Sequence, residues 1–114
     1  LLQYLPMDQL RQRDLRVWVA FYNRSLVDEE AAAYIRKFYA EAKNKLSEYL
    51  VTYEGKPKKD AEEITIAIQT AVDGLAFRAL GDLESWPPQK QKAQLEATVN
   101  RLINPDAANR PYRE

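Results

Sequence analysis

Apolar positions return at intervals of three and four along most of the chain. The clearest run is Ile35, Phe38, Tyr39, Ala42, Leu46, Tyr49, Leu50 and Tyr53, with Arg36, Lys37, Lys43, Lys45 and Glu48 on the opposite side. That spacing is the signature of an amphipathic helix. Asp28-Glu29-Glu30 marks its start, because carboxylates are favoured where unpaired amides leave a partial positive charge. Upstream, Leu10, Leu15, Val17, Trp18, Phe21, Tyr22 and Leu26 define another helix, beginning near Gln9 after Pro6 and capped by Asp8. Glu54-Gly55-Lys56-Pro57-Lys58-Lys59 is a charged loop holding both strong helix breakers. Asp60 is the expected cap of a third helix, with Glu62 and Glu63 in its first turn and Gly81-Asp82 at its end. A fourth starts at Pro87-Pro88 and runs to about Ile103, with Leu95, Val99, Leu102 and Ile103 as its stripe. No stretch alternates long enough for a strand, so the expected fold is all-α, an antiparallel helical bundle. The opening Leu1-Leu2-Gln3-Tyr4-Leu5 reads as the interior of a helix, which makes the chain look like a fragment, and residues 105–114 read as a C-terminal tail.

The third helix carries more information than the rest. At about 100° per residue, Ile64, Ala67, Ile68, Ala71, Val72, Leu75, Ala76 and Ala79 fall on one broad apolar face. Ile66, Phe77 and Leu80 lie on the other side, among Gln69, Thr70 and Asp73. A helix that is apolar on both sides is covered on both sides, by other helices, a second subunit or a ligand.

Composition narrows the chemistry. The 114 residues suit one domain, and 46% hydrophobic with 30% charged residues is an ordinary globular balance. There is neither cysteine nor histidine, which removes disulfides, most zinc sites and imidazole- or thiolate-based catalysis. Seventeen bases balance seventeen acids. Residues 1–59 carry eleven bases and eight acids, residues 60–86 one base and six acids, and residues 87–114 five bases and three acids. The bases are interleaved with acids along helices, so they read as solvated faces rather than a nucleic-acid patch. No uninterrupted apolar run approaches the ~18 residues of a membrane span, so no membrane partner is expected.

Few residue groups suggest chemistry. Glu29 and Glu30, Glu62 and Glu63, and Asp82 and Glu84 are acidic pairs whose positions at helix starts and connectors explain them without metal or acid-base work. No glycine-rich phosphate loop or nucleophile elbow is present. The chain therefore reads as non-enzymatic, with no metal and no cofactor. Asp73 is the only acid between Ile64 and Leu80, one turn after Gln69 and one turn before Phe77. Either it pairs with Arg78 or another base in a helix interface, or it anchors a ligand in a mostly apolar pocket. Trp18, Phe21, Tyr22, Phe38 and Tyr39 are core filling or the walls of that pocket.

Two segments carry a resemblance. Leu5-Pro6-Met7-Asp8 followed by Leu15-Arg16-Val17-Trp18-Val19-Ala20-Phe21 resembles the start of the regulatory domain of TetR-family transcriptional repressors of the BetI-like type. Ala71-Val72-Asp73-Gly74-Leu75-Ala76-Phe77-Arg78 is similar to the Asp-Gly-Leu segment of that type's penultimate helix, and the last helix has the matching position. The resemblance spans roughly residues 1–104 and implies an effector-binding and dimerisation domain. It further implies that DNA is contacted only through an N-terminal helix-turn-helix domain, not included here, to which Leu1–Leu5 would be the linking helix. The last two long helices, residues 60–81 and 87–103, would form the homodimer interface, with Leu75, Leu95, Val99 and Leu102 in it. The effector would be a small molecule, cationic or aromatic, held by Trp18, Phe21, Tyr22, Phe38, Tyr39, Gln69, Asp73 and Phe77. A family namesake that responds to choline makes Trp18, Tyr22, Tyr39 and Asp73 the natural surroundings of a quaternary amine, in a cytoplasmic regulator. The competing expectation is a stand-alone helical adaptor that binds a partner helix.

Overall fold

Two aspartates set the first two helices. Asp8 sits in extended backbone and accepts from the Arg11 amide at 2.8 Å, starting α1 (Gln9–Ser25). Asp28 accepts from the amides of Glu30 and Ala31 and starts α2 (Glu29–Glu54). At the far end of α2, Gly55 takes the left-handed conformation (φ 65°). Its amide and that of Lys56 both turn back to the Leu50 carbonyl, a finish that glycine reaches without a Cβ penalty. Helix α3 (Lys58–Gly81) and helix α4 (Pro88–Ile103) follow, with a single helical turn, α5 (Pro105–Ala108), behind them. The computed structural model describes residues 1–108, and among these the fold is all-helical with no strand. Of the expected tail 105–114, residues 109–114 lie outside the described residues.

Sequence expectation and structure part at two helix starts. Asp60 does not cap α3: the helix begins two residues earlier, at Lys58, with Pro57 in the cap position. Proline presets the backbone angle that leads into a helix, so α3 starts with no side-chain cap, and Asp60 lies within its first turn. The opening segment is not the end of an α-helix either. Leu2–Tyr4 form one 3-10 turn, after which Leu5 is extended (φ −96°, ψ 144°). Pro6 imposes this, because its ring excludes the helical conformation from the residue before it.

Helices α2 and α3 pack antiparallel. Tyr39 meets Asp73 and Ser47 meets Thr65, two pairs spaced equally along both helices, so a single register satisfies them. Leu50 and Ala61, both fully buried, lie at the closed end of this pair. On the other side of α3, the N-terminal segment and α4 close a core of Leu5, Ile68, Val72, Leu75, Ala76 and Leu95. The domain is a slab, 48 × 35 × 20 Å, the short dimension being about two helix diameters. Its radius of gyration, 15.9 Å, exceeds the ~13 Å expected of a close-packed chain of this length. Helix α3 is also long and apolar enough to cross a membrane by length and composition; here it is the central element of the slab.

Helix α1 is the loose member. None of its residues is buried, and Leu10, Val17 and the following Leu26 are 58%, 65% and 70% exposed. The apolar stripe expected along α1 is therefore only partly used: Leu15, Trp18 and Phe21 turn inward and the rest faces out.

Candidate functional site

Each of α1, α2 and α3 offers one stripe of side chains, a turn apart, to the space between them. From α1 come Arg11, Asp14, Leu15 and Trp18; from α2, Phe38 and Tyr39; from α3, Asp73, Ala76 and Phe77. They surround a hollow of about 220 Å³, roofed by Gln3 and Tyr4 of the 3-10 turn. A second hollow, about 520 Å³, adjoins it along α2, where Ala42, Lys45, Leu46 and Tyr49 face Gln69, Val72 and Asp73 of α3. Both hollows share Gln3, Tyr4, Phe38, Tyr39 and Asp73.

The smaller hollow has aromatic walls. Trp18 lies 4.7 Å from Phe38 and 6.4 Å from Tyr39, ring centre to ring centre, and Phe38 meets Tyr39 edge-on at 5.7 Å. These are favourable tilted and edge-to-face arrangements, and they hold the rings upright with space beside them. Phe21 stands behind this wall, between Trp18 (6.3 Å) and Tyr34 (5.3 Å).

At the junction of the hollows, the Tyr39 hydroxyl donates to Asp73 Oδ2 at 2.6 Å. The Gln69 amide nitrogen donates to the Tyr39 backbone carbonyl at 3.3 Å, tying the same turn of α2 to α3. Burial pushes the Asp73 carboxyl above its ordinary value of 3.8, and the Tyr39 hydrogen bond opposes that rise. The Tyr39 hydroxyl is itself raised, by burial first and then by the neighbouring carboxylate, so it stays a protonated donor.

The other charges at the hollow have partners. Arg11 is held by Asp8 at 3.5 Å, and Asp14 by Arg13 at 3.3 Å. Among the described residues no basic side chain forms an ion pair with Asp73. The expected pairing with Arg78 does not occur, because Arg78 lies on the exposed side of α3. A half-buried carboxylate supported by one hydroxyl, beside aromatic faces, is an environment in which an organic cation gains from both charge and ring quadrupole.

Of the eight residues expected around a ligand, Trp18, Phe38, Tyr39, Asp73 and Phe77 line the smaller hollow, and Gln69 lines the larger. Phe21 and Tyr22 line neither: Phe21 backs the wall, and Tyr22 is 37% exposed. Sequence reasoning missed Asp14 and Leu15, whose one-turn spacing from Trp18 was the available signal. It also missed the roof residues Gln3 and Tyr4 and the whole floor of the second hollow.

The residues expected at a dimer interface lie where α3 and α4 meet. Leu75 and Leu95 are 7% and 3% exposed, inside the subunit's own core, with Val99 and Leu102 half-buried against it. The stripes of α3 and α4 pack on each other and leave a groove between the two helices, lined by Ala71, Arg78, Gln94 and Thr98 with the edges of Leu75 and Leu95, and a hollow beside α4 that takes in Leu95, Val99 and Ile103 with Leu1 and Leu2. On the opposite face of α3, Ile66 is 50% exposed.

Compared with known proteins, residues 1–104 match the family described as BetI-type transcriptional repressor, C-terminal. No curated protein matches the chain, and no solved structure does.

Proposed function

The chain belongs to the C-terminal domain family of BetI-type transcriptional repressors, and from that premise we propose that it senses a small organic cation at Asp73. The family is one of TetR-type regulatory domains, with a general role in ligand binding and dimerisation and no enzymatic activity. One observation carries the finer reading: a half-buried carboxylate, aimed into an aromatic-walled hollow, whose hydrogen-bond partner is a neutral hydroxyl. The cation sits against Asp73 with Trp18, Phe38, Tyr39 and Phe77 around it.

Regulation follows from the roof. Gln3 and Tyr4 line both hollows, so an occupant touches the N-terminal segment as well as the three helices. A ligand that fits one placement of that segment better than another shifts their populations by its difference in affinity, and no further. In the proposed repressor this placement sets the position of a helix-turn-helix domain preceding residue 1, and through it operator affinity. Residues 1–104 act as the effector-binding and dimerisation domain, and two copies associate through the outer faces of α3 and α4. Ala71 and the edges of Leu75 and Leu95 form the apolar part of that interface, with Val99 and Leu102 supporting α4.

Titration calorimetry with tetramethylammonium chloride, against sodium chloride at equal ionic strength, tests the sensing role. Wild type binds, and Asp73→Asn loses at least about tenfold in affinity, the loss expected when a partly desolvated charge pair becomes a neutral contact. Equal binding by the two proteins removes Asp73 from the site. Sedimentation at tens of micromolar tests the association: a dimer is expected, and Ala71→Glu returns it to monomer.

A further inference from the structure

The two hollows differ in size, shape and charge, yet they meet at one pair of residues. Resting on the cation reading above, we propose that they are the two ends of a single site for an amphiphilic organic cation: a quaternary ammonium head with a linear alkyl tail. The smaller hollow, about 220 Å³, lies below the ~300–1,000 Å³ typical of small-molecule sites, so it accommodates a head group and little else. The larger, about 520 Å³, lies within that range. The Tyr39–Asp73 pair lines both, together with Gln3, Tyr4 and Phe38.

The shape of the larger hollow fits a tail. It follows α2 from Phe38 to Tyr49, eleven residues, which at 1.5 Å per residue is a trough of about 16 Å. Ala42 and Leu46 on α2 and Val72 on α3 make its floor, and none of these offers a hydrogen bond. Charge gives the site a direction. Arg11, Asp14 and Asp73 border the smaller hollow, an excess of one negative charge, whereas in the larger one the exposed Lys45 offsets Asp73, which lines both. A cationic head is favoured in the first, so the ligand lies head-inward with its tail along α2. Its far end then reaches Lys45 and Tyr49.

The test is calorimetry on the 114-residue chain with tetramethylammonium, hexyltrimethylammonium and decyltrimethylammonium, each below its micelle concentration, and with decyl sulfate as the anionic counterpart. Affinity should climb with chain length, by up to about fourfold for each fully buried methylene, and decyl sulfate should bind more weakly than the decyl cation. Leu46→Trp fills the trough and should flatten the chain-length dependence while tetramethylammonium binds as before. Should Leu46→Trp fail to fold by circular dichroism, Ala42→Phe on the same floor serves in its place. Equal affinity for the three cations overturns the two-ended site and leaves the cation reading standing. So does a loss of tetramethylammonium binding in the filled but folded variant. No binding by any cation overturns the cation reading itself and this inference with it, whereas decyl sulfate binding as tightly as the decyl cation shows a trough indifferent to charge and overturns this inference alone.

Discussion

Helix α3 has two working sides, and they are built from different materials. Toward α4 and the N-terminal segment it presents Ile68 and Leu75, which pack with Leu5 and Leu95, while Val72 and Ala76 belong to the same core and border the hollows. Toward α1 it presents Asp73 and Phe77, which face rings across an opening. Branched aliphatic side chains with alanines between them fill space at crystal-like density. Upright aromatic rings, touching edge to face, hold helices apart and leave gaps between them. Even the exposure of the flanking helices reflects this: α1 has no buried residue, whereas α4 buries Gln91 and Leu95. A small domain can therefore carry a stable half and a receptive half on one helix, provided that the residues change character around it.

That contrast can be broken by truncation on each side. Leu95→Ala, in the closed half, should cost about 2–5 kcal/mol in urea unfolding, because the cavity it leaves cannot collapse. Phe77→Ala, on the open side and 44% exposed, should cost less than about 1 kcal/mol. Comparable losses at the two sites would mean that the hollow is as tightly packed as the core. A second, smaller effect concerns the clasp of the closed half. Gln91, 1% exposed, donates its amide nitrogen to the carbonyls of Trp86 (2.8 Å) and Pro6 (3.4 Å). Gln91→Ala takes the side-chain donor from the Trp86 carbonyl and leaves the Pro6 carbonyl to Gln12 Nε2 alone (3.4 Å), and should cost about 1–3 kcal/mol in the same assay. Its own Oε1 has no partner among the described residues, so this polar contact is held by the fold around it rather than by full satisfaction.

The smallest effect sharpens the open side. The Asp73 carboxyl is raised in the folded chain, so its contribution to stability is complete below its unfolded value near 3.8 and is lost as pH climbs through its folded value. Asp73→Asn has no such loss. Thermal melts should show the variant a few degrees more stable than wild type at pH 7, with the two converging below about pH 3.8. The difference stays small because the carboxyl is only half-buried and solvent screens it. Divergence that grows toward acid pH would place Asp73 in an ion pair.

How much could be read in advance depended on how local the cause was. Asp8 and Asp28 set helix starts through hydrogen bonds three residues long or shorter, and both starts were legible. Pro88 likewise announced α4. The start of α3 was misjudged because two local signals compete there, a proline and an aspartate, and the proline comes first. Asp73 stood out as a lone acid on an apolar helix, but its partner did not. Tyr39 is 34 residues away, and only the register between α2 and α3 decides which polar groups meet. The same limit governs Leu75 and Leu95. A helical wheel identifies an apolar face without saying whether a neighbouring helix or another subunit covers it. Tyr4 was invisible as a roof because the segment was read as helix, and Pro6 converts it into a turn that lies over the hollows.

The Pro6–Gln91 contact also makes the slab anisotropic as a mechanical object. It joins residues 85 apart in the chain, so the first structured residues are tied to α4, close to the other end, with Leu5 wedged in the shared core. A pull applied at Leu1 is carried into α4 through this clasp, into α1 through Gln12, whose amide donates to the same Pro6 carbonyl at 3.4 Å, and into α3 through Leu5. Tension at the N-terminus and an occupant of the hollows, which Gln3 and Tyr4 line, thus act on the same short strap.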